Sequence, residues 1–287
     1  MSALLGALRG VASRVRRLML PHDGRDNSSY WRGRAQAQGS AAVLWTNVAY
    51  NRLVREREFE IIGPVLAALP PSPSVLDIGC GIGEITRWLL AQRPDVRVTG
   101  VDFPEMVERA AREIPTADGV EWIGSSADEF DRPAHFDLVL SSGCYSAIRD
   151  RAKCERAIAL GCKAVRPGGV LLMIDPFHRS KYLARVRMDR HEVRALVERQ
   201  GLEVERSGGI LFWPMRELLA NSTAEETVQR RWFEVGERWL ARLGEETWSD
   251  YKVLQFRRPA MPEAATAVGL PAAVVTDAAT GHRDGPW

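Results

Sequence analysis

Cysteine, lysine and long apolar runs are all scarce in this chain of 287 residues. The four cysteines, Cys80, Cys144, Cys154 and Cys162, include no pair at the two-residue spacing of a zinc knuckle or redox motif. Neither a disulfide framework nor a metal is expected, and a reducing, cytoplasmic compartment is the economical reading. No stretch approaches the roughly 20 apolar residues that a membrane span needs. Net charge is only +2 and no basic run interleaved with aromatics follows residue 35, so nucleic acid is not an expected partner. Only four of the 39 basic residues are lysine, which reads as a coding bias toward arginine and says nothing about function. A hydrophobic content of 45% with 26% charged residues is ordinary for a globular chain with one main domain and additions.

Against this plain background one stretch stands out. Ser74 to Ile78 reads as an apolar strand that runs into Gly79, Gly81 and Gly83, and Glu84 to Leu90 follows with helical spacing at residues 85, 88 and 89. A strand, glycine turn and helix in succession let a ligand approach the main chain at the start of the helix. The dinucleotide fingerprint wants a further glycine at position 84, where a pyrophosphate meets the helix N-terminus. The chain has Glu84 there, and a carboxylate would repel a phosphate. Asp77 opposes a pyrophosphate too, yet suits a ligand that carries an ammonium group and no phosphate, such as S-adenosylmethionine. A nicotinamide-dependent oxidoreductase is the weaker alternative.

A second strand, Val96 to Asp102, places a carboxylate roughly 20 residues beyond the turn, the spacing for bonds to ribose hydroxyls. Capping of the helix from Pro104 is the other role open to Asp102. With Asp77 and the glycines present, ribose binding is the stronger reading.

These residues resemble the class I S-adenosylmethionine-dependent methyltransferases. Residues 75–83 match that family's first motif and residues 98–102 its acidic second motif. Residues 136–142 look like its fourth strand, and residues 166–172 like the turn into its fifth. The resemblance covers about residues 72 to 258. It implies a doubly wound, mostly parallel seven-stranded α/β sheet with helices on both faces and an N-terminal helical cap. It also implies cofactor contacts at Asp77, Gly79, Cys80, Gly81, Gly83, Asp102, Phe103, Ser126, Ala127, Ser141 and Ser142. The family usually has an acid after the third strand for the adenine amino group. Here that position is Ser126, whose hydroxyl can accept the same bond, or Asp128 can move in.

Residues 2–20 put Leu4, Leu8, Val11, Val15 and Leu18 on one helical face with arginines largely elsewhere. The interrupted apolar run does not match a secretory signal. Such a segment can lie peripherally on the inner face of an anionic membrane, pack on the body of the protein, or stay disordered. Residues 21–71 read as a loop and then a helical cap, with helices over Tyr30 to Gln38 and through Val54 to Leu66. Trp31, Trp45 and Tyr50 are candidates to line an acceptor pocket or to fasten the cap to the core. Five apolar strands near 74, 97, 120, 137 and 171 predict a parallel sheet with its site at the strands' C-terminal ends. The insertion at 214–249 has a capping-box pattern at Thr223 to Glu226 and is long enough to wall a pocket or to form a subunit interface. From 259 the composition predicts a disordered tail.

Methyl transfer chiefly requires holding a nucleophile near the methyl group. If the acceptor is a hydroxyl, a base helps. His178, just past the fifth strand, is the best placed of the five histidines, with Asp175 and Tyr145 as alternatives and a plain exposed loop histidine as the bland reading. A hydroxyl of a small molecule or glycan precursor is the expected acceptor. Methylation at nitrogen or carbon of a small metabolite, or a catalytically inactive cofactor-binding subunit, are the alternatives.

Overall fold

The computed structural model describes residues 27–114, 119–178, 186 and 188–260. The amphipathic segment 2–20 and the expected tail beyond residue 260 lie outside them.

The strands are β1 (Ser74–Ile78), β2 (Arg97–Asp102), β3 (Val120–Gly124), β4 (Phe136–Ser142), β5 (Val165–Asp175), β6 (Glu203–Phe212) and β7 (Ser249–Arg257). They form one sheet in the order β3-β2-β1-β4-β5-β7-β6. The first five run parallel, and β7 is antiparallel to both β5 and β6. This is the doubly wound sheet the sequence predicts. Every residue of β1 is buried, as a strand covered on both faces requires.

Strand alternation divides the core in two. On one face Leu138, Leu140, Leu172, Ile174 and Val253 pack with Leu53, Val54, Ile61 and Ile62 of α2 (Val48–Ala67) and with Leu89 of α3 (Glu84–Gln92). On the other, Leu76, Ile78, Val139, Met173 and Leu254 pack with Ile158 of α5 (Arg151–Ala164) and Val193 and Val197 of α6 (Arg190–Glu198), while α4 (Pro104–Glu113) joins β2 to β3. Burying such side chains contributes roughly 1.5–3 kcal/mol each.

Before α2 come α1 (Ser28–Arg34), shorter than the Tyr30 to Gln38 helix expected, and a 3-10 turn at Gly39–Ala42. Arg34 shapes that turn by donating to the carbonyls of Ala41, Ala42 and Leu44. Between β6 and β7 lie α7 (Trp213–Leu219), α8 (Glu226–Leu243) and α9 (Glu245–Trp248). The capping box expected at Thr223 is absent: α8 begins after Glu225 with no side-chain cap, and Ser222 accepts the Ala224 N–H instead. A true capping box opens α6, where Asp189 and Glu192 cap each other's backbone N–H groups.

The layer before β1 and the 213–248 layer are joined across the end of the sheet. Asn47, N-cap of α2, donates through Nδ2 to Leu219 O at 2.7 Å, Ser222 O at 3.1 Å and Gln229 Oε1 at 2.7 Å. Ion pairs Arg52–Glu226, Arg57–Glu237 and Arg230–Glu56 run alongside. Asn47→Ala should lower unfolding free energy by about 2 kcal/mol, through the lost cap and the carbonyls left unpaired. A denaturant midpoint unchanged from wild type would show that this junction contributes nothing.

Candidate active site

The glycine turn is shaped by crowding. Gly79, Gly81 and Gly83 have φ of +73°, +56° and +79°, a region L-residues rarely adopt. A Cβ at Gly79 would sit 2.4 Å from Cys144 Cβ, one at Gly81 2.4 Å from Val43 Cγ1, and one at Gly83 2.5 Å from Ile114 Cδ1. The turn is thus a bare backbone cradle bordered by the β4 loop, the cap and the end of α4. Ala35, Ala42, Ile82 and Met106 form a small apolar cluster where the cap lies over it.

Asp102, at the end of β2, accepts from Gly81 N at 2.8 Å and from Phe103 N at 2.7 Å. Asp77 is buried and accepts from Thr86 Oγ1 at 2.8 Å. Burial pushes Asp77 up to about 6 against the opposing pull of Thr86 and Arg55. It pushes Asp102 up to about 6 too, against the N–H bonds of Phe103 and Gly81. Each Asp102 oxygen keeps a lone pair for a ligand hydroxyl. Beyond β3, the Ser126 hydroxyl donates to Asp128, which is buried, and Ala127 packs against the apolar core beside them. The loop therefore does hold an acid, two residues past its usual place.

Alternation sends the two serines ending β4 to opposite faces. Ser141 is fully buried and donates to Asp175 Oδ2 at 3.0 Å, while Ser146 donates its N–H and hydroxyl to Asp175 Oδ1 at 3.1 and 2.8 Å. Asp175 is pushed up to about 7 by burial, against those bonds. Tyr145 is also fully enclosed, and its hydroxyl lies where a Cβ on Gly161 of α5 would be. Both are fully buried and reach no open surface, so neither is carried further as a base.

Ser142 faces α2 and reveals a cluster that the sequence reading missed. Its hydroxyl donates to Glu58 Oε1 at 2.9 Å, and Arg55 bonds Glu58 at 2.6 Å and Glu84 at 3.0 Å. Arg55 and Glu58 are three residues apart on one face of α2, but nothing in that spacing pointed to strand ends more than eighty residues away. Glu84 opens α3 as a paired carboxylate, which removes the dinucleotide reading because a pyrophosphate would meet it there.

His178 is 8% exposed and its Nε2 lies 2.7 Å from Asp250 O. A carbonyl only accepts, so Nε2 carries the proton and Nδ1 is the basic nitrogen. Burial and Lys252 lower the pKa of His178, partly offset by Asp250, so the ring is neutral at pH 7. Asp250 is bonded by Arg216 at 2.7 Å. Trp45 packs between Tyr50 and Tyr251, with ring centroids 5.1 and 6.4 Å away, and Tyr50 meets Phe233 of α8 at 6.2 Å. Trp31 packs edge-on to Tyr30 within α1, at 5.1 Å.

Residues 75–169 match the methyltransferase domain family. Over that third of the chain, from β1 to the start of β5, the sequence is similar to methyltransferase domains. The chain is 30% identical over 135 residues to trans-aconitate 2-methyltransferase of Azoarcus sp., covering 46% of this chain and 51% of that protein. It is 35% identical over 77 residues to malonyl-[acyl-carrier protein] O-methyltransferase of Acetivibrio thermocellus, covering 26% and 27%. The chain thus spans about half or less of the length of these curated relatives. In fold it is similar to N-methyltransferase NodS from Bradyrhizobium japonicum, solved with S-adenosyl-L-homocysteine: TM-score 0.57, 17% identity, covering 82% of this chain and 100% of that one.

The bare cradle and its acids fit the cofactor of the methyltransferase domain, which carries a cation and no phosphate. Asp102→Ala should weaken S-adenosylhomocysteine binding roughly ten- to hundredfold in calorimetry. With Asp77 and Asp102 titrating near 6 in the free protein, affinity for S-adenosylmethionine should fall as pH drops through that value, because protonation removes the charges that favour it. Tight, pH-independent binding by the Asp102 variant would assign the site elsewhere.

Proposed function

We propose that this protein transfers a methyl group to a hydroxyl of a small molecule or glycan precursor. The observation that carries the reading is the two-layered roof over the C-terminal ends of β4 and β5 and the start of β7, which favours an enclosed small acceptor over a folded polymer. Trp45, half-buried against the enclosed Tyr50 and Tyr251, supplies aromatic surface under that roof, and His178, bonded to the Asp250 carbonyl, supplies a polar group at its edge.

S-adenosylmethionine, when bound, supplies an electrophilic methyl group on sulfonium. The glycine turn and Asp102 would hold it, by backbone approach and by bonds to its ribose hydroxyls, and the buried acids beside them would favour its positive charge. The roof excludes water from the reacting atoms. His178, fixed through Nε2–H on the Asp250 carbonyl, takes the hydroxyl proton at Nδ1 as the oxygen becomes a nucleophile.

His178→Ala should lower turnover by about 10²- to 10⁴-fold with cofactor affinity nearly unchanged. Wild-type turnover should fall on the acid side at a pH below the ordinary histidine value near 6.5, since the pKa is lowered and only the neutral ring accepts a proton. Near-normal turnover with the same profile in the variant would leave His178 a structural residue and the transfer to proximity alone.

A further inference from the structure

The helix α8 presents two apolar surfaces, of which the fold uses one. Gln229, Phe233, Gly236 and Leu240 face the body of the protein. At about 100° per residue, Val235, Val228, Trp239, Trp232 and Leu243 follow next around the helix within roughly 80° of arc. Trp232 is 54% exposed, Trp239 48%, Leu243 46% and Val228 41%, and Leu218 on the adjoining α7 is 66% exposed. A continuous apolar patch of this kind marks an interaction surface.

The charge beside the stripe selects what covers it. Arg242, Arg231 and Arg238 occupy the arc on the side away from the body. All three are exposed, and none enters an ion pair among the described residues, whereas on the same helix Arg230 is tied to Glu56 and Glu226 to Arg52. A second copy packed antiparallel on this face would set one arginine row against the other, since like flanks meet in such a pair. Aliphatic Val228, Leu243 and Leu218 have no stacking use against nucleotide bases. An apolar stripe centred on two tryptophans and edged by a row of arginines outside any ion pair among the described residues matches an anionic lipid surface, where indole rings settle at headgroup depth and guanidinium groups reach phosphates.

We propose that α8 is a docking helix for an anionic membrane, lying flat with Trp232 and Trp239 inserted and Arg231, Arg238 and Arg242 on lipid phosphates. The buried face of the same helix, which adjoins the stripe, carries Phe233 against Tyr50, so docking would hold the roof of the site at the lipid surface. The inference is independent of residues 2–20.

The test is sedimentation of the full chain with vesicles of phosphatidylcholine, with and without about one-third phosphatidylglycerol. Wild type should pellet with the anionic vesicles, little with the neutral ones, and less as salt rises. The triple variant Arg231→Gln, Arg238→Gln, Arg242→Gln should partition about a hundredfold more weakly, and Trp232→Ala with Trp239→Ala at least about tenfold more weakly. Both should keep wild-type circular dichroism and S-adenosylhomocysteine affinity, and if the tryptophan variant misfolds the arginine variant alone decides. Absence of wild-type pelleting, or pelleting of the arginine variant like wild type, overturns the proposal. So does a wild-type dimer dispersed by the tryptophan changes without any vesicle binding.

Discussion

The space just beyond β1 is contested by side chains from three separate elements, and the fold depends on how that contest is resolved. Val43 from the cap, Cys144 from the β4 loop and Ile114 from the end of α4 each stand where a Cβ of the glycine turn would be. A side chain at any of the three glycines would displace one of them and would also strain the backbone, because all three φ angles are positive. The turn is therefore more than a loop that tolerates a ligand. It is a meeting point that closes only when cap, sheet and α4 are docked, and this keeps the cofactor edge narrow.

Electrostatics fixes the same edge from the other side. Glu58 is fully buried and would be costly alone, but Arg55 bonds it and Glu84 together, and Ser142 takes up its second oxygen. Such a buried pair is weak evidence for net stability, since desolvation opposes the Coulomb gain. Its plainer effect is registry: it pins one turn of α2 to the end of β4 and to the first residue of α3. Removing Arg55 would leave Glu58 and Glu84 without their shared counter-ion, a larger disturbance than the loss of a surface pair.

Elements whose signal is local were legible in the sequence. The alternation of apolar strands and helices gave the sheet, and the glycines with Asp77 and Asp102 fall together at one edge of it, because each depends on residues within about one strand–helix unit. What escaped depends on distant partners. Asn47 looks like an ordinary N-cap, and its bonds to Leu219, Ser222 and Gln229 exist only once the two outer layers meet. Ser141 and Ser142 read alike as neighbours, yet the pleat sends one to Asp175 and the other to Glu58. The pattern at Thr223 misled because the bonds that make a capping box depend on where the helix starts, and α8 starts at Glu226.

The acids around the turn then have a common physical consequence. Asp77 and Asp102 are pushed up to about 6 in the free protein by burial, well above the usual carboxylate value near 4. Between those values the folded state binds more protons than the unfolded one, so their contribution to stability falls as pH rises through that window. At neutral pH the turn therefore holds ionised groups that the fold alone does not satisfy. A ligand that brings positive charge and hydroxyl donors relieves that penalty, whereas one that brings phosphate deepens it. Cofactor choice at this edge is in that sense written into the cost of folding it.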